Sequence, residues 1–371
     1  MPQDSNLAPD PQRRLLLQAG AGVAAASLLA ACGAPPLKPD QPSAASTRPH
    51  LMNNNEIYLL ALSGTLPKAS QRDAGIARLT AAGFTVSNQE AVSRQYQRFA
   101  GTDEERLSDL HNLLKRDAMP RMLLAGRGGY GACRLLPRID FGKLVPRLKE
   151  AGTQVVGYSD FTALQLALLA KGGMGSFAGP MLYSDIGGKT PSAYALQQFM
   201  GCLSQSGWQV SVPGRQAETG RGEGLFWGGN LSVLSSLAGS PYLPDIAGGL
   251  LFLEDVGEQP YRLERMLQQL YLAGILQKQK AIFLGDFSMG RIVDAYDPSY
   301  TLGSVISQMR RELDVPIYTG LPFGHIHDKT TLPLGFPAKF ACDENGLTLS
   351  FFDYPAHSAD GLQPDTLLSA I

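Results

Sequence analysis

The stretch QVVGYSDFTALQLALLAKG, residues 154–172, decides the fold. A short strand-like run ends at Tyr158, and a helical pattern rich in Leu and Ala follows it almost at once,. Strands that lead directly into helices are typical of parallel sheets in α/β proteins. Ser159 and Asp160 occupy the turn between the two elements, which is the edge of the sheet where α/β active sites gather. The stretch therefore predicts an α/β fold with a candidate site at this turn.

Strands and helices alternate along most of the chain on both sides of this stretch. A length of 371 residues is enough for about two domains of ordinary size,. We predict an N-terminal α/β domain over residues 51–190, a crossover segment over 191–222 and a C-terminal domain over 223–371. The strand-like runs are 57–64, 84–88, 122–125, 249–255, 280–287 and 316–321, and the helical patterns are 71–83, the segment from 102, 261–274 and 301–313,.

The composition excludes several classes of protein. Lys and Arg number 32 against 33 Asp and Glu, so the chain lacks the basic excess of a typical nucleic-acid protein, and we predict no nucleic-acid partner,. The hydrophobic fraction of 44% excludes wholesale disorder,. The 41 glycines follow no three-residue repeat, which excludes a collagen-like chain,.

The N-terminal 50 residues predict export and attachment to a membrane. Residues 1–32 contain the pair Arg13-Arg14 followed by an uncharged apolar run, the order of an export signal, and the pair resembles a twin-arginine signal,. The segment LAAC resembles the lipobox of bacterial lipoproteins, in which the cysteine, here Cys32, is lipidated and becomes the mature N-terminus. Residues 33–50 are rich in Pro, Ala and Ser, which predicts a flexible tether reaching about 20–25 Å,.

Ser159 is the candidate nucleophile. A serine on a sharp turn between strand and helix exposes its hydroxyl, and the next backbone N–H points to where an oxyanion would develop. Phe161 stands where the G-x-S-x-G pattern of α/β-hydrolases has its last glycine, so that pattern is incomplete. The alternative is that Ser159 caps the helix that follows.

His325 and Glu254 are the candidate base and acid. His325 is the histidine nearest the end of the last predicted strand, and its alternative role is to cap or pack,. Glu254 ends the apolar run at 250–253, where a carboxylate is suited to orient a histidine,. Its alternative is an ion pair with Arg262 or Arg265.

Five motifs in this order and spacing resemble the L,D-carboxypeptidases of peptidase family S66, also called murein tetrapeptide carboxypeptidases. The resemblance extends from residue 57 to residue 349. The motifs are Arg127-Gly128-Gly129-Tyr130-Gly131, Gly157-Tyr158-Ser159-Asp160-Phe161-Thr162, Trp227-Gly228-Gly229-Asn230, Leu253-Glu254-Asp255 and Gly320-Leu321-Pro322-Phe323-Gly324-His325.

The resemblance implies a role for each motif. Ser159, Glu254 and His325 match the nucleophile, acid and base of the family's triad, and the oxyanion donors match the backbone N–H groups of Asp160 and the Gly128-Gly129 turn. The nucleophile would come from the N-terminal parallel-sheet α/β domain, and the acid and base from a smaller C-terminal α/β domain. The active site would therefore lie at their junction.

The activity implied is removal of the terminal D-Ala from peptidoglycan stem tetrapeptides through an acyl-enzyme. The resemblance implies no metal and no other cofactor, and it implies a homodimer. A carboxypeptidase must bind the terminal carboxylate of its substrate, for which Arg127 is a candidate if it is not held in a structural ion pair. Trp227 and Asn230 are candidates for shaping the pocket, with a core tryptophan and a turn asparagine as alternatives.

Two features depart from the family. Ile326-His327-Asp328 follows the base where many relatives have Gly or Glu, which leaves a second imidazole nearby. The export signal predicts work in the periplasm from a lipid anchor, whereas well-known members are cytoplasmic. Gly33 is not the Asp that retains lipoproteins in the inner membrane, so the outer membrane is favoured over the inner. The functional alternatives are hydrolysis of other acyl amides or of L,D cross-links, and non-catalytic muropeptide binding.

Overall fold

The computed structural model describes residues 54–369 of the chain. The predicted export signal at 1–32 and the predicted tether at 33–50 lie outside the described residues. Within the described range, no helix combines the length and the apolar composition needed to cross a membrane.

The described residues form two sheets surrounded by helices. In chain order the strands are β1 (Glu56–Leu60), β2 (Thr85–Ser87), β3 (Met122–Ala125), β4 (Gln154–Gly157), β5 (Ser176–Ala178), β6 (Gly207–Pro213), β7 (Gly220–Asn230), β8 (Leu250–Glu254), β9 (Ala281–Leu284), β10 (Ile317–Tyr318), β11 (Leu332–Leu334), β12 (Phe336–Cys342) and β13 (Gly346–Phe352). The α-helices are α1 (Ala69–Ala81), α2 (Asp103–Leu114), α3 (Phe141–Glu150), α4 (Thr162–Gly172), α5 (Ala193–Ser204), α6 (Leu231–Ser236), α7 (Pro260–Leu272) and α8 (Leu302–Glu312).

The first sheet has the order β11-β5-β4-β3-β1-β2. The five strands from β1 to β5 are parallel, and β11 is antiparallel to β5. Strands β3 and β4 are buried at every position, as expected for central strands covered on both faces by helices,. Helix α2 begins at a capping box in which Thr102 and Glu105 each satisfy the other's backbone N–H,.

The second sheet has the order β10-β9-β8-β7-β12-β13-β6. Strands β7 to β10 are parallel, and β12, β13 and β6 continue the sheet in antiparallel pairs. The parallel part has a continuous apolar core because β8 and β9 are buried throughout. The antiparallel part alternates instead: β12 and β13 bury every second residue, which is the pattern of a sheet with one face in water,.

The chain passes from one sheet to the other at Gly335. Strand β11 pairs with β5 in the first sheet, and one residue later β12 pairs with β7 in the second. Gly335 has a φ of +78°, and its N–H donates to the carbonyl of Phe226. Only a glycine adopts this backbone without strain, which permits the abrupt change of sheet.

The predicted fold class is confirmed, because a mainly parallel sheet is followed by a second mixed α/β sheet. Residues 191–222, interpreted as a crossover, contain helix α5 and strand β6, and β6 belongs to the second sheet. The antiparallel strands of the second sheet and the return of β11 to the first are features that the sequence patterns do not predict. They depend on pairing between residues far apart in the chain.

Replacing Gly335 with Ala tests the change of sheet at this residue. An added Cβ would lie 2.9 Å from the Cα of Gly175 and 3.0 Å from the Leu169 Cδ1, besides the cost of the positive φ. Gly239→Ala is the matched control, because its φ is +79° and nothing lies within 4 Å of the added Cβ. We expect the control to lose about 1–2 kcal/mol of unfolding free energy and Gly335→Ala to lose about 1–3 kcal/mol more. Equal losses in urea denaturation would contradict the close packing at Gly335.

Candidate active site

Ser159 lies two residues after the end of β4 in a left-handed backbone conformation, with a φ of +62°. This conformation is rare for a residue with a side chain and is held only where the surroundings enforce it. One part of those surroundings is Gly157, where an added Cβ would lie 2.5 Å from the Phe161 ring. Ser159 makes no side-chain capping bond to the helix that follows. The turn therefore presents the hydroxyl away from the helix instead of using it as a cap.

His325 connects Ser159 with Glu254. The Nε2 atom of His325 lies 3.0 Å from the Ser159 Oγ, and its Nδ1 lies 2.9 Å from the Glu254 Oε2. Each of the three residues follows or ends a parallel strand: Ser159 follows β4, Glu254 ends β8, and His325 lies in the loop after β10. Because a carboxylate only accepts hydrogen bonds, it favours the tautomer with the proton on Nδ1, which leaves Nε2 free to accept the serine proton.

Glu254 is buried and is held by a second donor. Its side chain is 1% exposed, and the amide of Asn230 donates to its Oε1 at 3.2 Å. Neither alternative ion pair forms: among residues 54–369, Glu254 pairs only with His325, and Arg262 lies 3.5 Å from Glu258 instead. Asn230 also caps α6 by accepting from the Val233 N–H. A buried carboxylate with two fixed donors has little freedom to rotate away from the histidine.

Asp160 ties the turn to the glycine-rich loop beside it. Its Oδ2 accepts from the Ser63 hydroxyl at 2.6 Å and from the Ala132 N–H at 2.9 Å. Burial raises the pKa of the Asp160 carboxyl, and the hydrogen bonds from Ser63 and Ala132 oppose that increase. The side chain thus joins the ends of β1 and β4 to the loop after β3.

Gly128 lies directly against the serine. A Cβ added to Gly128 would be 2.7 Å from both the Cβ and the Oγ of Ser159, and 3.6 Å from the amide nitrogen of Asp160. The carbonyl of Gly128 accepts from the Gly64 N–H at 3.0 Å, which fixes the orientation of this peptide. Gly129 follows with a φ of +110°. The predicted oxyanion residues Gly128, Gly129 and Asp160 are therefore brought together with the serine.

Two family models match most of the described chain. The LD-carboxypeptidase N-terminal domain matches residues 57–179, and the LD-carboxypeptidase C-terminal domain matches residues 223–340. The chain belongs to the LD-carboxypeptidase family. The first model contains the serine turn and the second contains Glu254 and His325, so the candidate site combines residues from both domains of an LD-carboxypeptidase.

Named relatives support the same assignment. The chain is 30% identical to a probable murein peptide carboxypeptidase of Bacillus subtilis over 78% of this chain and 90% of that one. The crystal structure of the muramoyltetrapeptide carboxypeptidase from Oxalobacter formigenes superposes with a TM-score of 0.75 at 39% identity, covering 81% of this chain and all of that one. The chain is also 25% identical to the microcin C7 self-immunity protein of Escherichia coli, over 74% of this chain and 87% of that one.

The three other predicted binding residues differ in their exposure and in their contacts. Arg127 is half-buried beside the glycine turn, donates to the Thr65 carbonyl, and has no ion-pair partner among residues 54–369. Trp227 is fully buried and its indole donates to Gln279, which is the core position given as its alternative. Asn230 is 5% exposed, donates to Glu254 and caps α6, which is the turn position given as its alternative.

The sequence patterns do not identify a second group of polar residues around Tyr158. The ammonium of Lys329 donates to the Tyr158 hydroxyl at 3.0 Å and to the Asp185 Oδ1 at 2.5 Å. Lys329 stands in the run HDKTT, in which nothing signals burial. Its side chain is nevertheless only 2% exposed.

A cavity of about 280 Å³ adjoins His325 on the side of this cluster. Its lining includes Tyr158, Asp185, His327 and Lys329. His327 bonds outside the triad, to the Asp328 carboxylate and the Thr190 carbonyl. The second imidazole noted in the sequence is therefore bound at the rim and does not replace His325.

Gly128→Ala should remove activity without unfolding the protein. The added methyl would occupy the space of the Ser159 hydroxyl, which must then move from His325. We expect the turnover of a murein tetrapeptide to fall by at least about 100-fold, with a loss of unfolding free energy of only about 1–3 kcal/mol, so that the variant stays folded in the assay. Gly142→Ala, whose added Cβ has its nearest neighbour at 3.5 Å, is the control and should keep its activity. Turnover of Gly128→Ala within a factor of two of the wild type would contradict this placement.

Proposed function

We propose that the protein is a serine-type L,D-carboxypeptidase that removes the terminal D-Ala from peptidoglycan stem tetrapeptides. The observation that carries the proposal is the continuous line of hydrogen bonds from Ser159 through His325 to Glu254, at 3.0 and 2.9 Å. The line has the order of nucleophile, base and orienting acid found in serine hydrolases. The named relatives supply the substrate class.

The reaction has two halves. Ser159 attacks the carbonyl of the scissile amide while His325 Nε2 takes the hydroxyl proton, and the N–H groups of Asp160 and the Gly128-Gly129 turn stabilise the oxyanion. The intermediate collapses, the amide C–N bond breaks, and His325 gives its proton to the amine of the departing D-Ala. Water then attacks the ester with His325 again as base, which releases the shortened peptide and restores the serine hydroxyl.

Arg127 is proposed to bind the free carboxylate of the substrate. Its guanidinium lies next to the oxyanion turn and, within the described residues, is not neutralised by a carboxylate. It also lies over the Tyr183 ring, 5.7 Å from the centroid, which supports the side chain without using its N–H groups. A half-buried arginine in this state is suited to a bidentate contact with an incoming carboxylate.

The second candidate function is hydrolysis of an acyl amide outside peptidoglycan. The 25% identity with a microcin self-immunity protein favours it, because that relative is named for protection against a microcin. The same triad would hydrolyse both kinds of amide, so the assay must include a substrate of each kind. Cross-linked L,D peptides form a further class for the same chemistry, as substrates of an endopeptidase.

Mass spectrometry of a purified disaccharide tetrapeptide incubated with the full chain tests the main proposal. Loss of one terminal alanine is expected with the wild type. Ser159→Ala should slow this loss by about 10⁴-fold or more, because the nucleophile is absent while the pocket remains. Unchanged turnover by Ser159→Ala would contradict the mechanism. An intact tetrapeptide with folded wild type, and cleavage of an acyl-sulfamoyl nucleoside or an L,D-linked dimer instead, would favour the other substrates.

The lipid anchor is also part of the proposal. We propose that Cys32 is lipidated after export and that the enzyme works in the periplasm, with the outer membrane favoured by Gly33,. The tether at 33–50 would keep the catalytic body within about 20–25 Å of the membrane surface. We also propose that the protein is a homodimer, as the family resemblance implies. Light scattering of the detergent-solubilised protein would measure its molar mass and so its oligomeric state.

Cys32→Ala tests the anchor. In a Gram-negative host fed radiolabelled palmitate, the wild-type chain should carry the label and sediment with outer-membrane fractions. Cys32→Ala should carry no label, because the only thiol in the lipobox is gone. Cys133→Ala is the control and should keep the label. Label retained by Cys32→Ala would contradict the assignment.

A further inference from the structure

Lys329 connects the loop that carries His325 with the part of the chain that carries Ser159. It lies four residues after His325, in the loop that the second half of the chain contributes. Both of its partners belong to the first half: the Tyr158 hydroxyl at 3.0 Å and the Asp185 Oδ1 at 2.5 Å. The loop that carries the base is thus attached to the part of the protein that carries the nucleophile.

Tyr158 contacts both Lys329 and His325 and is the chain neighbour of Ser159. It immediately precedes Ser159, and its ring packs edge-on against the His325 ring with centroids 5.1 Å apart. Phe323 also packs edge-on against the Tyr158 ring, with centroids 5.6 Å apart. Burial raises the pKa of the Tyr158 hydroxyl well above its usual value, so the phenol stays neutral and its oxygen accepts from the ammonium.

Asp185 is a fixed anchor for the ammonium. Its Oδ2 accepts from the Met181 N–H at 2.8 Å and from the Ser184 hydroxyl at 3.0 Å, while its Oδ1 faces Lys329. The Asp185 carboxylate is therefore held by residues of its own turn, independently of its bond to Lys329. Because the Lys329 side chain is only 2% exposed, it offers little surface to a substrate in the adjoining cavity.

We propose that Lys329 is a positioning residue that sets the distance between the Ser159 hydroxyl and the His325 imidazole. This inference rests on the proposed function, since it assigns a role in the same triad. The ammonium binds the phenol next to the nucleophile and the carboxylate of the turn at Asp185. Together these bonds hold the His325 loop against the turn that follows β4 at Tyr158. Lys329 acts through Tyr158 and His325 and touches no reacting atom.

Kinetics of Lys329→Met test the inference. Met keeps the length of the side chain and removes the charge, so the loop should shift slightly while the pocket stays formed. We expect kcat on the disaccharide tetrapeptide to fall by about 100-fold, the effect of a displacement near 1 Å, with KM within about threefold of the wild type. Tyr158→Phe keeps the ring and the Lys329–Asp185 pair, so it should lower kcat less. Lys339→Met, which removes an exposed lysine of β12, is the matched control and should leave both constants unchanged.

A double variant separates positioning from the cost of a buried charge. Lys329→Met leaves the Asp185 carboxylate without its cation, which can destabilise the protein by itself. Lys329→Met with Asp185→Asn removes both charges and should recover the melting temperature, yet kcat should remain low because the attachment is still missing. Recovery of kcat in the double variant would overturn the inference. So would a wild-type kcat in Lys329→Met.

A spectroscopic signature keeps this test independent of the substrate. The Nδ1 proton of His325 in its hydrogen bond to Glu254 should give a low-field resonance in proton NMR of the wild type, absent in His325→Gln. Lys329→Met should shift or broaden this resonance, and Lys339→Met should not. An unmoved resonance in Lys329→Met would overturn the inference. If the wild type shows the resonance but cleaves no tetrapeptide, the proposed substrate is contradicted. The positioning role of Lys329 is then still tested by the effect of Lys329→Met on the resonance.

Discussion

The left-handed backbone at Ser159 is the constraint on which the rest of the site depends. A residue with a side chain adopts this conformation only when its surroundings hold it there. Gly157 gives Phe161 room beneath the turn, and the Asp160 carboxylate fastens the turn to Ser63 and Ala132. In the sequence Gly157-Tyr158-Ser159-Asp160, the glycine and the aspartate thus stabilise the conformation of the serine by separate contacts.

The second requirement is that the base reach this turn from the other half of the chain. His325 lies 166 positions from Ser159 and 71 from Glu254, so its position depends on how β4, β8 and the loop after β10 are arranged. Close packing between the halves makes this arrangement stable. At Gly229 an added Cβ would lie 2.8 Å from Thr162 at the start of α4, and the next N–H, that of Asn230, donates to the same threonine.

The residues that could be predicted from sequence are those whose type, local pattern and family motif agree. Ser159 follows a strand-like run, and Glu254 ends one, so the sequence alone places both residues at strand ends. Trp227 could not be placed, because its motif position does not show that the side chain points into the core. Lys329 could not be found either. Its burial depends on Tyr158 and Asp185, at sequence separations of 171 and 144 residues, and no local pattern reports such a partner.

Strand β11 also limits how the two halves can move. It completes the first sheet beside β5, yet one residue separates it from β12 in the middle of the second sheet. A large rotation of one sheet against the other would have to break hydrogen bonds along this ladder, because Gly335 supplies almost no slack. The side chains of Ser159 and His325, which the two halves of the chain contribute, therefore cannot separate far without loss of strand pairing.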